Sequence, residues 1–238
     1  MFVIFAILIV AGVFLVLYSQ TDLFKKSESV NPEIAPIKSI IDNCLKHTGE
    51  SALILIGQQG GYYHAPSLSV NNIVPYYFYM DSSKVPSETV LTSSISNYVD
   101  SNLQTCLNFS QFPDFSVSYK KSLTKTSLLA DKVVIDTIIL VDILKSDIKY
   151  SLSDFRAEIP SRLKGIYNVS SGIVDDQLKH MNSTCISCMS KAASDNGLVV
   201  YLGEIGSDVL VVQLRDYNIS VQGGPYYEFD FAIKYNLI

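Results

Sequence analysis

The stretch YYEFDFAIKYNL, Tyr226 to Leu237, decides how the body of this chain is read. Tyr227, Phe229, Phe231, Ile233, Tyr235 and Leu237 share one parity; Glu228, Asp230, Lys234 and Asn236 share the other. Successive side chains of a strand point to opposite faces, so a period of two predicts a half-exposed antiparallel strand. Leu198 to Gly203 and Asp208 to Arg215 also read as strands. Short strands are expected at Tyr62-Tyr63 and Ile73 to Met80, on either side of the turn-rich APSLSVNN. Phe115 to Tyr119 and Leu128 to Leu144 are β-like, with Asp131-Lys132 a candidate turn. The segment KVVIDTIILVDIL alternates weakly, which predicts a central strand buried on both sides.

Three segments carry helical spacing instead. From Glu33 to Ile56, the residues Ile34, Ile37, Ile41, Cys44, Thr48, Ala52 and Leu55 fall three and four apart, and Gly60-Gly61 ends the pattern. Ser87 is a good N-cap for a second helix, with Glu88 in its first turn; Leu91, Ile95, Tyr98, Val99, Leu103 and Cys106 line one face. Ser153 to Ser190 is predicted mainly helical. Its apolar stripe is Leu163, Ile166, Tyr167, Ile173, Val174, Leu178, Met181 and Cys185, with Pro160 near its start or at a break. Helices packed on antiparallel sheet make the body α+β.

The chain begins differently. Met1 to Thr21 carries no charged side chain, and the first basic residues, Lys25 and Lys26, follow the apolar run. About 20 helical residues span a bilayer core. A cleaved secretion signal needs a basic start, a shorter core and a small-residue cleavage site, and none of these is present. Basic residues on the C-terminal side would hold the body inside the cell, whereas its other features point outside. It has few charges (17%), four cysteines and four Asn-x-Ser/Thr sites, at Asn108, Asn168, Asn182 and Asn218. A short basic leader removed ahead of Met1 would resolve the conflict.

That arrangement resembles type IV pilins, and more broadly the pilin-like, exported, membrane-anchored proteins of archaea. The resemblance rests on FVIFAILIVAGVF, on Cys44-Leu45 with LILIGQQGGYY (53–63), and on Ile95 to Val99 with Asn102, Leu103 and Cys106. It covers roughly residues 1–115. It implies a long N-terminal hydrophobic helix over residues 1–21, with Phe2, Phe5, Leu8, Gly12 and Leu15 facing lipid and later other subunits. A hinge at 22–36 and an extracellular α+β domain at 37–238 would follow. It implies a surface subunit for adhesion or cell–cell contact. Its partners would be membrane lipid, copies of itself and cell-surface glycans. The alternatives are a monomeric tethered binding protein for carbohydrate and a tethered thiol oxidoreductase.

The remaining residues exclude more than they assign. A net charge of −5 with scattered lysines and arginines gives no footprint for nucleic acid. No Gly-rich phosphate loop, G-x-S-x-G, HxxxH or HExxH occurs, so no enzyme, cofactor or metal is expected. If the two helices carrying Cys44 and Cys106 pack together, a bridge between them is geometrically reasonable; two buried thiols are the alternative. Cys185-Ile-Ser-Cys188 is read as a structural bridge, because it falls late in a helical pattern rather than at a helix start, where a thiol is activated. His47, His64 and His180 are isolated. Tyr62, Tyr63, Tyr76, Tyr77, Tyr79, Tyr226 and Tyr227 are either core and strand formers or an aromatic binding face.

Overall fold

The computed structural model describes residues 31–180 and 184–235. The chain divides into Met1–Ala35 and a compact unit, Pro36–Ile238. In the first, only residues 31–35 are described; there Asn31 O accepts from the amides of Ile34 and Ala35 at 3.0 and 3.1 Å.

The second unit is α+β, as the periodicities require, but it holds two sheets rather than one. In the first, β1 (Ser69–Val70), β2 (Val74–Tyr79), β10 (Tyr227–Lys234), β9 (Val209–Asp216) and β8 (Val199–Ile205) lie side by side, and β3 (Ser82–Ser83) also pairs with β2. The second sheet is built on β6 (Lys132–Lys145). Strands β4 (Ser116–Tyr119) and β5 (Leu123–Leu128) pair with successive parts of β6, and β7 (Ile148–Pro160) runs along its whole length. The expectation of purely antiparallel sheet is corrected at one place: β2 and β10 are parallel. They lie far apart in sequence, so no hairpin constrains their direction.

Helix α1 (Ala35–Gln58) is packed against both sheets. A Cβ on Gly49 would fall 2.5 Å from Ile135 Cδ1 and 2.7 Å from Ile159 Cδ1, in the second sheet. One on Gly57 would fall 2.2 Å from the carbonyl oxygen of Glu228, in the first. Two contact surfaces explain why Leu45, Leu53 and Ile56 are buried besides Ile37, Ile41, Cys44, Thr48 and Ala52 of the expected stripe, whereas Leu55, also expected there, is half-buried. At its C-terminal end the Gly61 amide donates to Ile56 O at 2.7 Å, and both Gly60 (φ 50°) and Gly61 (φ 86°) are left-handed. That is the glycine stop the sequence predicts. Tyr62-Tyr63, expected as strand, belongs to this turn region instead. Helix α2 (Glu88–Cys106) starts at the expected cap, where Ser87 Oγ accepts from the Val90 amide. It lies on β5 through a polar layer. Ser96 Oγ meets Thr126 Oγ1 at 2.9 Å, and Thr124 Oγ1 donates to Asp100 at 2.7 Å. Buried threonines hide the apolar alternation of β5, so the sequence reading missed that strand.

Residues 153–190 are the largest correction. The segment begins as strand: Phe155, Ala157 and Ile159 are buried while Asp154, Arg156 and Glu158 are exposed, a period of two that pairs with β6. Two shorter helices follow, α3 (Leu163–Gln177) and α4 (Ile186–Asp195). Arg162, just before α3, reaches fully buried Asp216 at the end of β9, 3.2 Å away.

The expected burial of the two principal strands is exchanged. On β6 both faces are covered only at Val133 to Ile135; from Ile138 onward one face is open, leaving Ile138, Leu140, Asp142 and Leu144 exposed. On β10 even Asp230 and Ala232, on the face expected in water, are buried. The expected membrane-spanning helix is also corrected. Among the described residues no helix is long and apolar enough to cross a membrane. Residues 1–21, to which that expectation was assigned, lie outside the described residues.

Candidate functional site

The face of β8, β9 and β10 turned away from α1 carries a connected group of polar and aromatic side chains. Cross-strand register sets them in rows: Val199–Arg215–Glu228, then Tyr201–Gln213–Asp230. Residues directly opposite in antiparallel strands share a face. Tyr217 and Tyr226, just past the strand ends, continue the pattern.

Arg215 is the centre of this group. Its guanidinium carbon lies 4.3 Å from the Tyr201 ring centroid and 4.5 Å from that of Tyr226. Its Nε donates to Glu228 Oε2 at 2.6 Å. Desolvation works against the Arg215 charge, but hydrogen bonds with Glu228 and Tyr217 outweigh it and raise its pKa. A cation between two π faces and beside a carboxylate is held in one orientation. The Tyr217 and Tyr201 hydroxyls meet at 3.1 Å. That bond, with one from Arg215, lowers the Tyr217 pKa, while the same bond raises that of Tyr201. Tyr201 and Tyr217 remain 42% and 49% exposed, so their faces are available to a partner.

Asp230, one row along, is only 7% exposed. Gln213 Nε2 donates to its Oδ2 at 3.4 Å, and its Oδ1 has no hydrogen-bond partner among the described residues. Burial, followed by the nearby Glu228 charge, raises its pKa to about 7. Beyond it, Val70, Val74, Tyr76, Val209 and Ala232 form a small apolar cluster. Tyr79 and Lys234 lie further along, with Lys234 3.1 Å from Asp208. The face therefore offers π surfaces, a fixed cation, the Glu228 carboxylate and an amide. That set suits binding of a polar ligand by stacking and hydrogen bonds.

The other expected residues are placed as follows. Cys44 is joined to Cys106, linking α1 to α2, and Cys185 is joined to Cys188. The second pair corrects the sequence reading: Cys185 is the N-cap of α4, not a late position in a long helix. Asn108, Asn168 and Asn218 are exposed, although the Asn218 side-chain amide donates to Gly197 O at 3.3 Å. Asn182 and the apolar-segment residues Phe2, Phe5, Leu8, Gly12 and Leu15 lie outside the described residues. The tyrosines divide between the core and the outer face, with a register shift in the β2–β10 pairing placing Tyr79 apart from Tyr77. Tyr77 and Tyr227 are in the core, their hydroxyls donating to Gly60 O and Leu53 O. Tyr76, Tyr79 and Tyr226 are half-buried. Tyr63 stacks on His64 and meets Tyr98 edge-on, apart from the rest. His47 is exposed and within 3.1 Å of Gln222. Among the described residues no cluster of metal-ligating side chains occurs.

Sequence reasoning missed Tyr201, Gln213, Arg215 and Tyr217. The parity of Tyr201, Gln213 and Arg215 within β8 and β9 was readable, but the register that brings them beside Glu228 and Asp230 was not. Compared with known proteins, the chain matches no family model, no curated protein and no solved structure.

Proposed function

We propose that this is a surface protein that acts outside the cell and binds a carbohydrate ligand through the outer face of β8, β9 and β10. The observation that carries the reading is Arg215 fixed between Tyr201 and Tyr226 beside the Glu228 carboxylate. Aromatic faces cover the apolar C–H face of a sugar ring. A carboxylate, an amide and a guanidinium supply acceptors and donors for its hydroxyls. Two disulfides are compatible with an oxidising compartment. The pilin-like resemblance adds copies of the chain as partners.

Glycan-array screening of the full chain, followed by titration of the best ligand, tests this reading. Tyr201→Ala and Tyr226→Ala are each expected to weaken binding at least about tenfold with unchanged melting, the loss of one stacking or hot-spot contact. Binding that ignores both variants, or no glycan bound at all, refutes it.

A further inference from the structure

Both sulfur-bearing residues of the Cys185–Cys188 bridge line a cavity of about 330 Å³ between α3 and α4, with Ile173, Asp176, His180 and Met189. Cys185 caps α4, and the Cys188 amide donates to Cys185 Sγ at 3.2 Å. Cys188 is exposed and Cys185 half-buried. The bridge joins residues only three apart, against 62 for Cys44–Cys106. Constraint of the unfolded chain grows with loop length, so this bridge is a weak staple. Its position instead favours reactivity. A helix N-terminus and an amide donor stabilise a thiolate, and an accessible sulfur can be attacked.

We propose that Cys185–Cys188 is a thiol–disulfide exchange site whose substrate is a cysteine-bearing peptide seated in the α3–α4 cavity. This is independent of the carbohydrate-binding reading. A substrate thiolate attacks the exposed Cys188 sulfur. The Cys185–Cys188 bond breaks, and its electron pair leaves on Cys185 Sγ, where the Cys188 amide and the helix terminus hold the charge. A second substrate thiolate then attacks the substrate sulfur of the mixed disulfide and expels Cys188. Two electrons pass from two substrate sulfurs to the protein pair, and the two substrate protons end on Cys185 and Cys188. In reverse, the Cys188 thiolate attacks a substrate disulfide, and the Cys185 thiolate then resolves the mixed disulfide by attacking Cys188 Sγ. Ile173, Met189 and Ala192 give the cavity an apolar wall, and Asp176 and Lys191 give it charge.

The test uses the folded full chain with dithiothreitol and oxidised glutathione as probes, read by alkylation and mass spectrometry. Cys185–Cys188 should be reduced at least tenfold faster than Cys44–Cys106. After mild reduction, Cys185→Ser should form a mixed disulfide with glutathione on Cys188. This should run at least tenfold faster than Cys188→Ser forms one on Cys185. The alkylation midpoint of Cys185 should fall below the free-thiol value of about 8.5. The double variant C185S/C188S should melt close to the parent. Equal reduction rates for the two bridges overturn the proposal. So do equal reactivities of the single variants, or a collapse of the double variant that marks the bridge as a staple.

Discussion

Replacing Asp230 by asparagine should stabilise this protein at pH 8 and flatten part of its pH dependence. The carboxyl is 7% exposed, faces Glu228 and has one oxygen without a partner among the described residues. Its pKa is raised in the folded state, from 3.8 to about 7. The folded protein therefore retains a proton that the unfolded chain releases. Stability attributable to this group is complete below pH 4 and falls as pH rises towards 7. At 1.36 kcal/mol per unit the shift sets a ceiling of about 4 kcal/mol. Local relaxation and residual contact with water bring the expected value to about 2 kcal/mol. Asparagine keeps the shape, accepts the Gln213 hydrogen bond and cannot ionise. Urea unfolding of parent and Asp230→Asn at pH 4.5 and pH 8 measures the difference. The variant should gain about 2 kcal/mol relative to the parent between these conditions. A difference that does not change with pH, or a variant less stable at pH 8, refutes the reasoning.

Two further outcomes follow from the packing of α1. Removing the Cys44–Cys106 bridge with C44S/C106S frees a 62-residue separation and should cost about 4 kcal/mol, or roughly 10 °C in thermal melting. Gly57→Ala should lose about 2 kcal/mol in urea unfolding despite alanine's better helix propensity, because its Cβ would sit 2.2 Å from a β10 carbonyl and 2.8 Å from the Tyr227 hydroxyl. Gly172→Ala in α3, where a Cβ meets nothing within 4 Å, should instead gain up to about 1 kcal/mol.

Local rules made much of the fold legible. Ser87 capping α2 and Gly60-Gly61 stopping α1 each act within a few residues, and each is found; Tyr227, Phe229 and Phe231 form the expected strand, although Asp230 and Ala232 on its other face are buried too. Legibility failed where a side chain's surroundings come from distant segments. Thr124 and Thr126 are polar side chains that form no apolar pattern, yet they are buried, with Asp100 and Ser96 of α2 meeting their hydroxyls. Asp154 to Ile159 sits beside a strong helical stripe and was absorbed into it, while its true partner is β6.

The same division runs through the candidate sites. Tyrosine and cysteine content, the charge-free start and the parity of each strand belong to the sequence alone, because they depend only on composition and on the period of two. Which face of β10 is buried, which rings enclose Arg215, and that Cys185 opens a helix were decided by tertiary structure. Register between strands from different parts of the chain, and the break between α3 and α4, arise from packing that no local window of residues contains.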